Sequence, residues 1–281
     1  MEKTLVILIG NARGGEKTWN SMYENLLVPY NADLAVCFGY KENKKESLYS
    51  KSKYIWEVPE YDEWADYYIE NYGENGIWKK VFSMCGDNGF SGLYKSKGSS
   101  AITLALRDWI LKNKRDILIS YDRIIITRSD YFYYDQHPLL DNDHFWIPFG
   151  EGYGGITDRH HIFPSSDVDL VFGIVQNYIN TNNIIEDFTN IPSRNLNIER
   201  SYVKYFGRIG YSKKIKQFKR VQFTVRVAED TTRWHTGPNS GTLLVPGHTD
   251  LYIKYGDEYA LCENPNAHTT PNCYETGEFI G

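Results

Sequence analysis

A chain of 281 residues, 41% hydrophobic and 24% charged, is long enough for one sizeable α/β domain and too apolar to stay disordered. Its net charge of −5 argues against a nucleic-acid binder, which carries a basic excess or stripe. No apolar run approaches the roughly 20 residues that span a bilayer, and Met1-Glu2-Lys3-Thr4 leads straight into a short strand, so the expectation is a soluble, cytoplasmic protein with no membrane insertion.

Residues 5–9 are continuously apolar and end at Gly10, which predicts a buried parallel strand. Helical spacing follows over 19–27, then strands over 33–38 and over 54–58, the last closed by Pro59. Strand, helix, strand at this spacing is a βαβ pattern with right-handed crossovers. A helix rich in Tyr and acids is predicted over 61–72, and the Gly/Ser-rich stretch 86–100 reads as a loop. Ser99 or Ser100 can cap a helix through Lys112, with Ile102, Leu106, Trp109 and Ile110 on one face. Residues 122–127 make the strongest strand of the chain, followed at once by Arg128-Ser129-Asp130. A short strand over 144–147 ends at Pro148, a Gly-rich loop covers 150–155, and Asp167 opens a helix through about residue 179. A helix over 198–206 and a strand over 222–227 follow, and beyond Trp234 the chain is rich in Gly, Pro, Asn and Thr. No repeat or composition break marks a boundary. A single domain is expected over 1–281, with a nucleotide-binding half over 1–130 and an acceptor-binding half over 131–281.

Three stretches can carry chemistry. The turn Gly10-Asn11-Ala12-Arg13-Gly14-Gly15-Glu16-Lys17-Thr18 approaches the phosphate-binding loop G-x-x-x-x-G-K-[ST], but Glu16 breaks the register by one residue. A nucleotide-contacting turn at the carboxyl end of strand one fits better, because open α/β sheets bind ligands there. Gly10 and Asn11 supply its backbone, and Arg13 can stack on a base or pair with phosphate; an ordinary glycine turn is the alternative. The second stretch, Arg128-Ser129-Asp130, ends the central strand, where Arg128 can neutralise phosphate bidentately. A structural Arg–Asp ion pair is its alternative. The third is Gly154-Gly155-Ile156-Thr157-Asp158-Arg159-His160-His161, a flexible double glycine before a dense polar cluster. For an inverting sugar transfer Asp158 is the candidate base, and Arg159 or His160 could contact the diphosphate or the sugar. A surface loop with a solvated His pair is the bland reading.

Two literal D-x-D matches, Asp141-Asn142-Asp143 and Asp167-Val168-Asp169, compete with Asp130 as metal sites. The first reads as turn chemistry and the second as a helix cap, so Asp130 is preferred. Glu199 is a candidate contact to sugar hydroxyls, against a surface acid pairing Arg200 or Lys204. His235 and His248 lie in late loops, where a transferase could use a His as metal ligand or phosphate donor. The four cysteines, Cys37, Cys85, Cys262 and Cys273, form no CxxC pair and read as reduced thiols; a Cys262–Cys273 disulfide, or a metal site including His268, is the alternative. Aromatics make up 15% of the chain, with 23 Tyr, a bias shared by sugar-processing enzymes and by lectins.

Gly10-Asn11-Ala12-Arg13, Arg128-Ser129-Asp130 and Gly155-Ile156-Thr157-Asp158-Arg159, in this order over roughly residues 1–235, resemble the GT-A glycosyltransferases. More narrowly they look like the small unanchored transferases of large DNA viruses, such as algal viruses that glycosylate their own capsids. A xylosyltransferase acting on a capsid glycan is the member this chain most resembles, which implies the host cytoplasm as its location. The resemblance implies a Rossmann-like fold with a mixed, mostly parallel sheet flanked by helices, in agreement with the pattern above. It implies a UDP-linked sugar as donor, a glycan as acceptor, Gly10, Asn11 and Arg13 near the nucleotide, and Asp130 near its diphosphate. Asp158 falls where inverting members place their base. Such transferases commonly hold Mn²⁺ or Mg²⁺ with an acidic D-x-D at the position of Arg128-Ser129-Asp130, and Arg128 departs from that pattern. The rival readings are a non-catalytic carbohydrate-binding protein and a P-loop kinase or sulfotransferase.

Overall fold

The computed structural model describes residues 2–39, 46–84, 99–150, 152–189, 197–227, 243–264 and 266. Its strands are β1 (Thr4–Gly10), β2 (Asp33–Gly39), β3 (Tyr54–Val58), β4 (Arg123–Thr127), β5 (Tyr131–Tyr133), β6 (Phe145–Pro148), β7 (His161–Pro164), β8 (Ile215–Phe218), β9 (Gln222–Arg226) and β10 (Tyr252–Ile253). The main sheet has the order β3-β2-β1-β4-β7-β6-β8. Its first four strands are parallel, β7 runs antiparallel to β4 and β6, and β8 is parallel to β6. This is the α/β, Rossmann-like sheet that the pattern predicts. A second, antiparallel sheet joins β5, β9 and β10.

The continuous apolar run of β1 has a direct cause: both of its faces are covered. Leu5 and Ile7 pack with Trp78, Leu104, Ile110, Phe172 and Tyr202, from helices over 77–84, 99–118, 168–172 and 198–208. Val6 and Leu8 face the other way, onto Trp19, Met22 and Leu26. Each such side chain contributes about 1.5–3 kcal/mol when fully buried. A third, smaller core gathers Phe223, Val225, Val245, Leu251, Ile253 and Cys262 around the second sheet.

Several elements differ from expectation. The first helix begins at Gly15, passes through a π turn over Tyr23–Leu27, and ends at Asn31 in left-handed geometry. The helix from Ser99 runs on to Leu118. Asp167 does not open one long helix: a 3-10 turn (Ser165–Asp167) precedes Val168–Phe172, and a π turn (Val175–Ile179) follows Gly173. Helices Ile77–Met84, Asn182–Phe188 and Gly256–Glu263 and strands β5, β7, β8 and β10 were not anticipated, each being short. The tyrosine excess is largely interior. Tyr67, Tyr68, Tyr131, Tyr133, Tyr178, Tyr202 and Tyr205 are buried, and several hydroxyls end on acids, as Tyr67 and Tyr72 on Asp108 and Tyr211 on Asp167. No described helix is long and apolar enough to cross a membrane. The loop expected over 86–100 lies, through residue 98, outside the described residues, as do Cys85, His268 and Cys273.

Candidate functional site

From β1 the chain moves outward to β2 and β3, then returns to lay β4 on the other side of β1. The carboxyl ends of β1 and β4 therefore flank the point where crossovers leave in opposite directions, the place where such sheets form a ligand crevice. A cleft of about 220 Å³ opens there. Its walls include Gly10 at the end of β1 with Asn11 and Arg13 after it, Arg128 and Asp130 after β4, and Asp158 and Arg159 before β7. Three stretches separated widely in sequence thus meet at one crevice. Gly10 turns the chain out of β1 at φ 116°, a geometry that a side chain resists. Ser129 ties the two strand ends together: the Arg13 amide donates to its Oγ (3.0 Å), and that hydroxyl donates to the Asn11 carbonyl (2.7 Å). Trp19 Nε1 donates to the Arg13 carbonyl from the first helix and fixes the turn from below (2.7 Å).

Arg128 grips Asp130 with two parallel hydrogen bonds of 2.6 and 2.7 Å. Burial works to raise the Asp130 carboxyl, but the Arg128 charge and hydrogen bonds, with Lys254 and Arg13, outweigh it and hold it at about 2. Lys254 arrives through the second sheet. β5 starts directly after Asp130, the Val225 amide donates to the Asp130 carbonyl, and the Lys254 amide donates to the Thr224 carbonyl. Burial pushes the Lys254 ammonium down to about 8; Asp130 opposes that shift, while Arg128, Arg159 and Arg13 add to it. Asp130 therefore stands among several cations, and the excess charge of this end of the cleft is positive.

The facing wall is built on a close approach. A Cβ on Gly155 would stand 2.3 Å from the Glu199 backbone, and the Ile156 amide donates to the Glu199 carbonyl (3.1 Å). The loop before β7 thereby lies on the start of the Ile198–Arg208 helix, whose cap is Asn197. Arg107 is fully buried and donates to the Asp158 carbonyl, the Tyr202 hydroxyl and His161 Nδ1. His161 in turn donates from Nε2 to the Thr157 carbonyl, which makes it the neutral Nε2–H tautomer. Asp158 itself is half-buried and lines the cleft. Its neighbour Arg159 pairs with Glu258 at 2.9 Å and lies over the rings of Tyr153 and Tyr255. Glu258 also accepts from the Thr224 amide at 2.6 Å, so one buried acid fastens the last helix to the cleft.

Other expected residues lie elsewhere. His160 does not reach the cleft. Its ring is completely buried, stacked on His137 and bonded through Nδ1 to Thr127, and burial holds it neutral. Glu199 is 9% exposed and sits behind the wall, where burial and then Asp158 raise its pKa, so it does not offer a sugar contact. His235 lies outside the described residues. Lys17 pairs with Asp250 at the surface and Glu16 accepts from the Ser47 amide, which removes both from a phosphate-binding loop. The competing D-x-D acids are structural: Asp141 binds His144, Asp167 binds Tyr211 and Lys214, and Asp169 binds Arg115. Asp167 makes no side-chain cap. Arg107, Lys254 and Glu258 were missed because their partners are remote in sequence. The only local signal was Lys254 directly after the apolar run Leu251-Tyr252-Ile253.

Both Asp130 oxygens are taken by Arg128, Lys254 and Arg13 stand close by, and no group of three or more His, Cys, Asp or Glu among the described residues could hold a metal. These residues do not fit a divalent ion. No protein-family model and no curated protein matches the chain.

Proposed function

We propose that this protein is a glycosyltransferase that moves a sugar from a nucleoside-diphosphate donor, UDP-linked, to a glycan hydroxyl with inversion. One observation carries the reading: a crevice at the carboxyl ends of β1 and β4, lined by Arg13, Arg128 and Arg159, also has the carboxylate of Asp158 in its lining. Arg13, Arg128 and Arg159 bring positive charge to the two phosphates, Arg128 with the edge not bonded to Asp130 and Arg159 with the nitrogens not bonded to Glu258. Asp158 would take the proton of the acceptor hydroxyl as that oxygen attacks the anomeric carbon. The bond from that carbon to the β-phosphate oxygen breaks, its electron pair leaves with the diphosphate, and the arginines meet the developing charge. The resemblance to the GT-A transferases points the same way. The P-loop alternative loses support because Lys17 points to Asp250, and the lectin-like alternative because the tyrosine excess is interior.

Thermal denaturation with a panel of nucleotide sugars tests the class, because a ligand that binds only the folded state raises the melting temperature. One donor should stand out. Asp158→Asn should then lower kcat by about 10²–10⁴-fold while leaving donor affinity intact. Unchanged turnover would remove Asp158 from the mechanism.

A further inference from the structure

We infer that this cleft binds the diphosphate of its ligand without a divalent cation, Arg13 and the part of Arg128 not bonded to Asp130 receiving the phosphates and the buried Lys254 adding its charge near Asp130. The inference rests on the function proposed above and adds how the diphosphate is held. Three observations carry it.

Asp130 is the acid at the end of β4, and its two oxygens each accept from Arg128 at 2.6 and 2.7 Å. A divalent ion would have to displace that guanidinium and then sit within the field of Arg13 and Lys254. Lys254 is also too well placed to be incidental. Its backbone is aligned by Thr224, which is itself registered with Tyr131, the residue after Asp130. The side chain is 4% exposed, and burying an ammonium is costly unless opposite charge faces it. Asp130 offsets that cost, while Arg128, Arg159 and Arg13 add positive charge in the same region. The cleft lining sets Arg13, Arg107, Arg128 and Arg159 against Asp130 and Asp158, and that positive excess matches the negative charge of a diphosphate, the group that elsewhere requires a metal to offset it.

Calorimetric titration of the full chain with UDP and with GDP provides the test, each in EDTA and again with Mn²⁺ or Mg²⁺. The inference expects one of the two to bind in EDTA with a Kd that the metals leave unchanged within about two-fold, a change of only about 0.4 kcal/mol. Arg128→Asp should invert this behaviour. With a guanidinium replaced by a second carboxylate, affinity in EDTA should drop by at least about ten-fold, and Mn²⁺ should restore it. Wild-type binding that requires metal would overturn the inference and leave the transferase reading standing. Failure of both nucleotides to bind folded protein, with or without metal, would overturn the two together.

Discussion

Two buried aspartates, Asp108 and Asp130, show opposite uses of the same side chain. Asp108 is wholly enclosed and answered on every side: the Tyr67 and Tyr72 hydroxyls donate to it at 2.6 Å, Lys112 at 2.8 Å and Gln176 at 3.1 Å. Nothing is left for a ligand, and the cluster joins the Ala65–Tyr72 and Ser99–Leu118 helices to the π turn over Val175–Ile179. Asp130 is nearly as buried, yet the charge around it is overcompensated by Arg13, Arg128 and Lys254 and opens onto a crevice. A closed polar cluster is architecture. A cluster with surplus charge at a crevice is a site waiting for its counter-charge.

Removing the first acid should separate the two most sharply. Asp108→Ala strands two tyrosine hydroxyls and a lysine, for an expected loss of about 3 kcal/mol in urea denaturation. Nucleoside-diphosphate affinity should not move; a parallel loss of affinity would collapse the distinction. Acid distinguishes a third interior polar group, His137, His160 and His161, from both aspartates. Burial lowers His137 to about 4 and the other two well below their ordinary value. The unfolded chain takes up protons at these rings as pH falls through about 6.5 while the fold does not. Stability should therefore be lost below that pH, by about 1.4 kcal/mol per pH unit for each ring, until the folded-state values are passed. A melting temperature flat from pH 7 to 5 would show that the rings are charged in the fold. The smallest effect is expected at Lys17→Ala. That surface pair is solvated, so the melting temperature and nucleotide affinity should stay at wild-type values. A lost affinity would revive the P-loop reading.

Much of the parallel half of the sheet was legible because burial on both faces forces an unbroken apolar run, as in β1 and β4. The turns at their ends were legible for a related reason: polar residues directly after such a run can only emerge at the sheet's carboxyl edge. The antiparallel half was harder. β7 holds four residues, starts on a histidine and ends on a proline, and its histidine is interior only because Arg107 and the Thr157 carbonyl fix its neutral tautomer. Read locally, His160 therefore looked like a ligand contact, with a solvated His pair as the bland alternative. Lys254 and Glu258 depend on pairing between β5, β9 and β10, contacts that no local periodicity encodes. Asp158 was singled out from its neighbouring glycines, and the reason for Gly155, its backbone lying against Glu199, emerged only in three dimensions.

The Ser129 hydroxyl, which accepts from the Arg13 amide and donates to the Asn11 carbonyl, has a consequence for rate as well as shape. Two loops that would otherwise fluctuate separately are joined into one body before any ligand arrives. Their ordering entropy is thus spent during folding, so an anion entering the crevice meets donors already in position. Binding at this end should be fast and should change the backbone little.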